Sequence, residues 1–428
     1  MHERQTPDMK PENCEPECLP RTLLAQDEDG NSWKKLAGKR VGMVVLSSYP
    51  ADARPRRAID AMLQQGMEID LLCEADEGLA SKEQKQGLTV TRLPIRHQRG
   101  GALGYAIEYT SFILLATLTF AWRSLRRRYD LLYVHNMPDV LVISGLIPKL
   151  LGAKVILDQH DPMPELMTTI FKVKPESLSV KLIRCLERWS IGCSHRVITV
   201  NEACRQIFAA RSCPGDKIAV VMNTPDEELF PLHSATSYPE AAGARPLIVM
   251  YHGSLVERNG LGLAVDAVGL LMQSGLAIEL RAYGRSTSYL EDVMNKVHAL
   301  GLQQVVKHLG ARRLEQLAHE IEQCDIGVVP NQQNTFTEIN TPTRIFEYLA
   351  LGKPVIAPST RGILDYFGED SLLYFRPGDA EDLAKQIRFA ALHRGDLAMM
   401  AQKGQEVYAQ HTWREEKKVL LDAVASVL

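Results

Sequence analysis

Glu347 lies in the run TPTRIFEYLALGKPVIA, Thr341 to Ala357, where its neighbours dictate its surroundings. Pro342 suits the first turn of a helix, and Gly352 followed by Pro354 is a stop signal. Ile345, Phe346, Leu349 and Ala350 recur at helical spacing. The helix is therefore expected to pack on a sheet, with Glu347 near the mouth of an αβ crevice. A ligand-holding carboxylate and a plain surface glutamate are both open readings. His160 and Asp161 follow an apolar run in LDQHDPMPE. A histidine just past a strand can face a cleft, donate to a substrate hydroxyl or share a proton with a carboxylate. A loop histidine bonded to a local carbonyl is the alternative. His135 holds a comparable place in VHNMPD. The loop DARPRR sets Arg54, Arg56 and Arg57 at a helix start, where cations oppose the helix dipole. Such a cluster needs another reason to exist: phosphate binding is one, and a solvated charge run is the other.

These groups need a scaffold. Val41–Ser47 is a buried parallel strand by composition, followed by a helix, Pro55–Gln65, closed by Gly66, and a strand Ile69–Cys73. Further strands are expected at Leu131–Val134, Lys154–Leu157, Val197–Val200 and Ile218–Val221. After an aperiodic linker, residues 226–246, the alternation restarts. Its strands are Leu247–Tyr251, Ile278–Ala282, Val305–Leu309, Ile326–Val329, Pro354–Ala357 and Ser371–Tyr374. The fold class is α/β, with two doubly wound parallel sheets. Ligands bind beyond the carboxyl ends of such strands, which is where Glu347, His135, His160 and Asp161 fall. No G-x-G-x-x-G follows the first strand, which disfavours NAD or FAD.

The chain has 428 residues, 45% hydrophobic and 24% charged, enough for two globular domains. Its net charge of −3 gives no global pull toward nucleic acid. Eight cysteines show no zinc-ligand spacing, and Cys14 and Cys18 sit in a polar tail, so a reduced, cytoplasmic protein is expected. Residues 1–38 lack an apolar core of the secretory kind and are expected to be disordered. Tyr105–Trp122 is strongly apolar and is followed by Arg123, Arg126, Arg127 and Arg128. Its centre is too short to span a bilayer comfortably, and Glu108 lies inside the wider segment. Tyr105–Arg128 is either a helix lying on a membrane surface or a buried helix with a basic end.

The stretch around Glu347 resembles the nucleotide-sugar-binding segment of retaining glycosyltransferases with the GT-B fold, specifically glycosyltransferase family 4. The resemblance covers roughly residues 40 to 425. It implies two facing Rossmann-like domains, an acceptor domain at 39–225 and a donor domain at 247–428, with the helix after Trp413 crossing back to the first. It also implies a nucleotide diphosphate sugar whose ribose is held by Glu347, and a transferred sugar touched by His160. His135 would read the acceptor side or close the cleft, and Asp161 falls on the acceptor side. Arg54 and Arg57 would meet the phosphates of a lipid-linked acceptor.

The chain departs from the family where the pyrophosphate should sit. Family members usually show G-R-L followed shortly by K-G, whereas here Gly253 and Ser254 lead to Arg258, Asn259 and Gly260. Arg258 is the obvious substitute cation, with Arg285 and Arg344 on nearby loops. The first of two family glutamates would fall at Ile339. Backbone amides around Asn340, Thr341 and Thr343 remain to hold oxygens at a helix start. Gly310 would let the backbone approach the base, with Arg312 or Arg313 at the rim.

The implied reaction is hexosyl transfer to a hydroxyl of a glycan or lipid-linked acceptor, with retention, in polysaccharide or glycoconjugate synthesis. No cofactor or metal is expected, since no D-x-D pair occupies a suitable loop. The expected location is cytoplasmic, at the inner face of the cell membrane if Tyr105–Arg128 docks there. A sugar-nucleotide epimerase of the same fold, or a non-catalytic membrane-associated partner of glycan assembly, are the alternatives.

Overall fold

The computed structural model describes residues 33–95, 102–235 and 245–428. The first sheet has eight strands: β1 (Arg40–Val44), β2 (Glu68–Glu74), β3 (Lys82–Lys85), β4 (Leu88–Leu93), β5 (Leu131–His135), β6 (Lys154–Gln159), β7 (Arg196–Thr199) and β8 (Ile218–Val220). Their order is β3-β4-β2-β1-β5-β6-β7-β8, and β3 alone pairs antiparallel. The second sheet has six parallel strands: β9 (Leu247–His252), β10 (Ile278–Tyr283), β11 (Val306–His308), β12 (Ile326–Val328), β13 (Val355–Pro358) and β14 (Leu373–Phe375). Their order is β11-β10-β9-β12-β13-β14. Strand order reverses at β1/β5 in the first sheet and at β9/β12 in the second, and crevices open beyond the carboxyl ends at such points. The two sheets form the two Rossmann-like halves of a GT-B fold.

The central strands are runs of Val, Ile, Leu and Met, so both faces of each sheet demand cover. On one face of the first sheet, Ile59 and Met62 from helix Ala53–Gln64 meet Leu420, Leu421 and Val424 from the last helix, Trp413–Ala425. On the other face, Phe112, Ala116 and Phe120 from helix Ala102–Arg126 join Ile191 from helix Leu178–Cys193. The last helix, which follows the second sheet in the chain, thus packs on the first.

Three expectations change. Trp33 and the turn Lys34–Leu36 pack on the last helix, with Trp33 Nε1 donating to Asp422 at 2.8 Å, so the end of the 1–38 tail is ordered. Residues 1–32, including Cys14 and Cys18, lie outside the described residues. The linker is partly core: Phe230 is buried in the second domain and His233 N donates to Ala350 O at 2.7 Å, while residues 236–244 lie outside the described residues. The β3–β4 hairpin was not anticipated because Lys-Glu-Gln-Lys carries no apolar alternation, only the charge that protects a sheet edge.

The apolar helix Ala102–Arg126 is part of the core on one face and leaves apolar side chains exposed on the other. Phe112, Ala116 and Phe120 are fully buried, whereas Leu114, Leu118, Trp122 and Leu125 point outward. Among the described residues no helix is long and apolar enough to cross a membrane.

Candidate active site

The carboxyl ends of β9, β10 and β11 carry Gly253, Gly284 and Gly310, knitted by backbone bonds from Gly253 N to Tyr283 O at 3.0 Å and Gly284 N to Gly310 O at 3.1 Å. A Cβ on Gly284 would stand 2.3 Å from the Gly253 carbonyl, so this rim admits glycine only. The loop from Gly253 returns to the sheet at Gly260, whose φ of +73° and whose would-be Cβ, 1.7 Å from Pro330 O, both demand glycine. Ser254 and Asn259, standing where the family has its cations, brace this loop: Asn259 Nδ2 and Tyr251 OH each donate to Ser254 O at 2.8 Å.

Between the sheets lies a cleft of about 820 Å³. It gathers Gly253, Ser254, Arg258, Arg285, Asn340, Thr341, Thr343, Arg344 and Glu347 from the second domain against His160 and Asp161 from the first. Gly310 does not line it; the adjacent Ala311 and Arg312 do. None of Arg258, Arg285 and Arg344 forms an ion pair with a described residue. Arg344 lies over the Tyr251 ring, 4.9 Å from its centroid. Helix Thr343–Ala350 points its amino end into the same space, where first-turn amides have no partner inside the helix. Three unneutralised guanidinium groups and a helix amino terminus make an anion site.

Glu347 stands on that helix with its Oε2 3.3 Å from His252 Nε2. Burial, then the nearby Arg344, pushes His252 down to about 3, so the imidazole is neutral. Burial pushes Glu347 up to about 7, against the opposing pull of Arg344 and Arg57. A carboxyl near half protonation can both donate to and accept from hydroxyls.

This shift has a measurable consequence. The folded state binds the Glu347 proton more tightly than the unfolded chain, whose carboxyl titrates near 4.5. The associated stability is complete below about 4.5 and is lost as pH rises through about 7. Wild-type melting temperature should therefore fall relative to that of Glu347→Gln across this window. Parallel melting curves against pH would show that Glu347 titrates normally.

The first domain contributes a buried polar chain. Arg54 clasps Asp158, with Nε 3.1 Å from both carboxylate oxygens and Nη2 2.6 Å from Oδ1. Tyr133 OH donates to Asp158 at 2.9 Å, and His135 Nδ1 lies 3.3 Å from Oδ2. His135 Nδ1 is also 2.9 Å from His160 Nε2, at the cleft wall. Parallel register makes this possible by setting His135 opposite Asp158 across β5 and β6. Burial alone would raise Asp158, but Arg54, followed by His160 and His135, holds its carboxyl well below the usual range. Burial pushes His160 down to about 3 despite Asp158. Asn136 fixes the loop, accepting from His160 N at 2.8 Å and donating to Asp161 O at 3.1 Å.

Three acceptor-side expectations are corrected by this network. His135 is completely buried and lines neither the main cleft nor the two side chambers beside it, so it reads no acceptor there; it holds His160. Arg54 answers Asp158, Val221 O and Asn223. Arg57 donates to Thr224 O and lies over Trp413, its buried guanidinium pushed down to about 10. The charge that seemed to need a phosphate at the helix start is met inside the protein. Both arginines border a chamber of about 300 Å³ that Glu347 also lines, and neither lines the main cleft. Asp161 lines both the main cleft and a side chamber of about 310 Å³ that also has Ser47, Asp52, Glu74, Tyr109 and Asn136 in its wall. His135, Asp158 and His160 are close enough to hold a metal ion. Arg54, however, already occupies both Asp158 oxygens and would repel a dication.

Residues 51–224 match the family described as glycosyl transferase 4-like domain, and residues 246–391 match glycosyl transferases group 1. The chain pairs these two glycosyltransferase domains. It is 28% identical over 191 residues to the amylovoran biosynthesis glycosyltransferase AmsK of Erwinia amylovora, covering 44% of this chain and 45% of that one. It is 25% identical over 219 residues to the putative colanic acid biosynthesis glycosyltransferase WcaL of Escherichia coli, covering 50% and 52%. The chain thus spans about half the length of these curated relatives. In shape it is similar to sucrose-phosphate synthase from Thermosynechococcus elongatus, with a TM-score of 0.69 at 16% identity over 89% of this chain and 96% of that one. It is also similar to Anabaena HepE in complex with UDP, with a TM-score of 0.65 at 17% identity over 91% and 100%. At these identities the likeness speaks to the fold.

Two groups at strand ends gain their roles only from the structure. In the group 1 domain, His252 ends β9 beside Gly253 and touches Glu347; its place at a strand end was the available signal. In the 4-like domain, Asp158 organises the histidines, and the acidic residue closing VILD was the clue.

Proposed function

We propose that this protein moves a hexosyl unit from a nucleotide diphosphate sugar to a hydroxyl of a glycan or lipid-linked acceptor, with retention, in polysaccharide synthesis. The observation carrying this reading is the single cleft in which Arg258, Arg285, Arg344 and a helix amino terminus oppose His160. Charge developing on the departing diphosphate is the main chemical demand, and these donors answer it without a metal. Glu347 holds the ribose hydroxyls, with His252 Nε2 3.3 Å from its carboxyl.

His160 acts on the sugar as a donor. Ionised Asp158 can only accept, so His135 carries its proton on Nδ1, directed at Asp158 and His160 Nε2. Neutral His160 then carries its own proton on Nδ1, available to a sugar hydroxyl. The acceptor enters from the side chamber, where burial pushes Asp161 up to about 6 against Arg258. That chamber, lined by Asp52, Glu74 and Asp161, suits hydroxyl groups and not phosphates. We place the enzyme in the cytoplasm, peripheral to the membrane.

A panel of nucleotide sugars tested by thermal shift, followed by product analysis, checks the reading. The true donor at about a hundred times its Kd should add about 2.7 kcal/mol of stability. With acceptor present, the product should keep the anomeric configuration of the donor. No response to any nucleotide diphosphate sugar would mean a non-catalytic role. Isomerised donor formed without acceptor would mean an epimerase.

A further inference from the structure

The outer face of the first domain is apolar where surface helices are ordinarily charged. On helix Ala102–Arg126 the outward side chains include Ile107, Leu114, Leu118, Trp122 and Leu125, the last 75% exposed; Arg123 turns inward to Asp70, so no charged side chain stands outward before Arg126. Helix Leu146–Leu150 packs beside this helix, and helix Leu178–Cys193 is joined to it in turn. Lys149 Nζ ties the two, donating to Cys193 O at 2.6 Å. They add Leu150 at 86% exposure and Leu178 at 83%, then Leu182, Leu186 and Trp189 at helical spacing.

Charge on the three helices is sorted by sign. Their acidic residues are Glu108 and Glu187, and both are buried, the second against Arg211. Arg126, Lys181 and Arg188 are exposed, and Arg128 follows the first helix; Arg127 pairs with Glu68 at 2.6 Å, and the exposed Glu176 precedes the third helix. Arg126 stacks on Trp122 at 3.6 Å, pairing an indole with a cation as headgroup boundaries favour. A symmetric contact with a second copy would set the same positive fringe against itself.

We propose that this three-helix face docks on an anionic lipid bilayer, its leucines in the acyl boundary and Arg126, Arg128, Lys181 and Arg188 on lipid phosphates. The proposal deepens the peripheral placement above and does not depend on the donor chemistry. Docking would leave the interdomain cleft free to receive an acceptor carried by the membrane.

Co-sedimentation of the full chain with vesicles of phosphatidylcholine, with and without phosphatidylglycerol, at low and high salt is the test. Wild type should bind the anionic vesicles, and high salt should weaken binding. Leu118→Glu/Trp122→Glu on the first helix and Leu182→Glu/Trp189→Glu on the third should each lower partitioning on the order of tenfold or more. These positions are exposed, so melting temperature and the nucleotide-sugar thermal shift should be unchanged. Wild-type partitioning by the Leu182/Trp189 variant would remove the third helix and overturn the proposed face. Binding to neither vesicle, with a dimer that the variants dissociate, would make a second copy the occupant and overturn the bilayer. Vesicle binding without any nucleotide response would uphold docking while the donor reading fails.

Discussion

Arg258→Ala should lower turnover by about 10²–10³, corresponding to about 2.7–4 kcal/mol of lost transition-state stabilisation, with the fold intact. No ion pair with a described residue holds the side chain, and the backbone of its loop is fixed separately, with Arg258 O accepting from Gln332 N at 2.9 Å. The guanidinium is therefore free to follow charge as it develops. Arg258→Lys should recover only part of the rate, because an ammonium is a point charge and cannot fork across two phosphate oxygens. The variant should also change the pH profile. Arg258 is the leading influence that opposes burial at Asp161 and holds that carboxyl near 6. Without it, Asp161 should titrate higher, and any activity limb it controls should move upward in pH. The measurement is kcat and KM for one nucleotide sugar across pH. A raised KM with unchanged kcat would mean that Arg258 binds donor and transition state equally. The burden of the leaving group would then pass to Arg285 or Arg344.

The sequence was most legible where local pattern and fold agree. Runs such as VGMVV and LIVMY are short, β-branched-rich and alternate with helical patterns, so two parallel sheets followed from them, and residues at strand ends became site candidates. Glu347, His160, Asp161, Arg258, Arg285 and Arg344 do meet in one cleft. Arg54 and Arg57 mark where such reading stops. Their charge is answered by Asp158, distant in sequence, and by backbone carbonyls at the end of β8, neither of which spacing can reveal. His135 fails for a related reason: register across β5 and β6 makes it a brace for His160, and register is a property of the folded sheet.

The apolar helix teaches a different lesson. A run in which nearly every position is apolar carries no sidedness, so the sequence could not tell core from surface. Packing separates them: Phe112 and Phe120 close the core under the sheet, and Leu118 and Trp122 face away from it. Truncating Phe112 and Phe120 would thus report on folding and not on membrane contact.

Asp158→Ala should destabilise the protein by about 3–5 kcal/mol, because it strands Arg54 as an unpaired buried charge. Tyr133 and His135 lose their acceptor at the same time. The sign with pH follows from the depressed carboxyl. Its contribution is fully present above the ordinary value of 3.8 and is lost only as pH falls toward its lowered value. The whole penalty should therefore appear at neutral pH, as a lower denaturant midpoint with an unchanged slope. Adding Arg54→Met to Asp158→Ala removes the stranded cation and should restore part of the stability, so the two losses should not add. Turnover should not return with it. His135 would still lack the carboxylate that fixes its proton on Nδ1, and His160 would lose the tautomer that presents a donor to the sugar. Recovery of stability and turnover together would show that Asp158 serves only to neutralise Arg54.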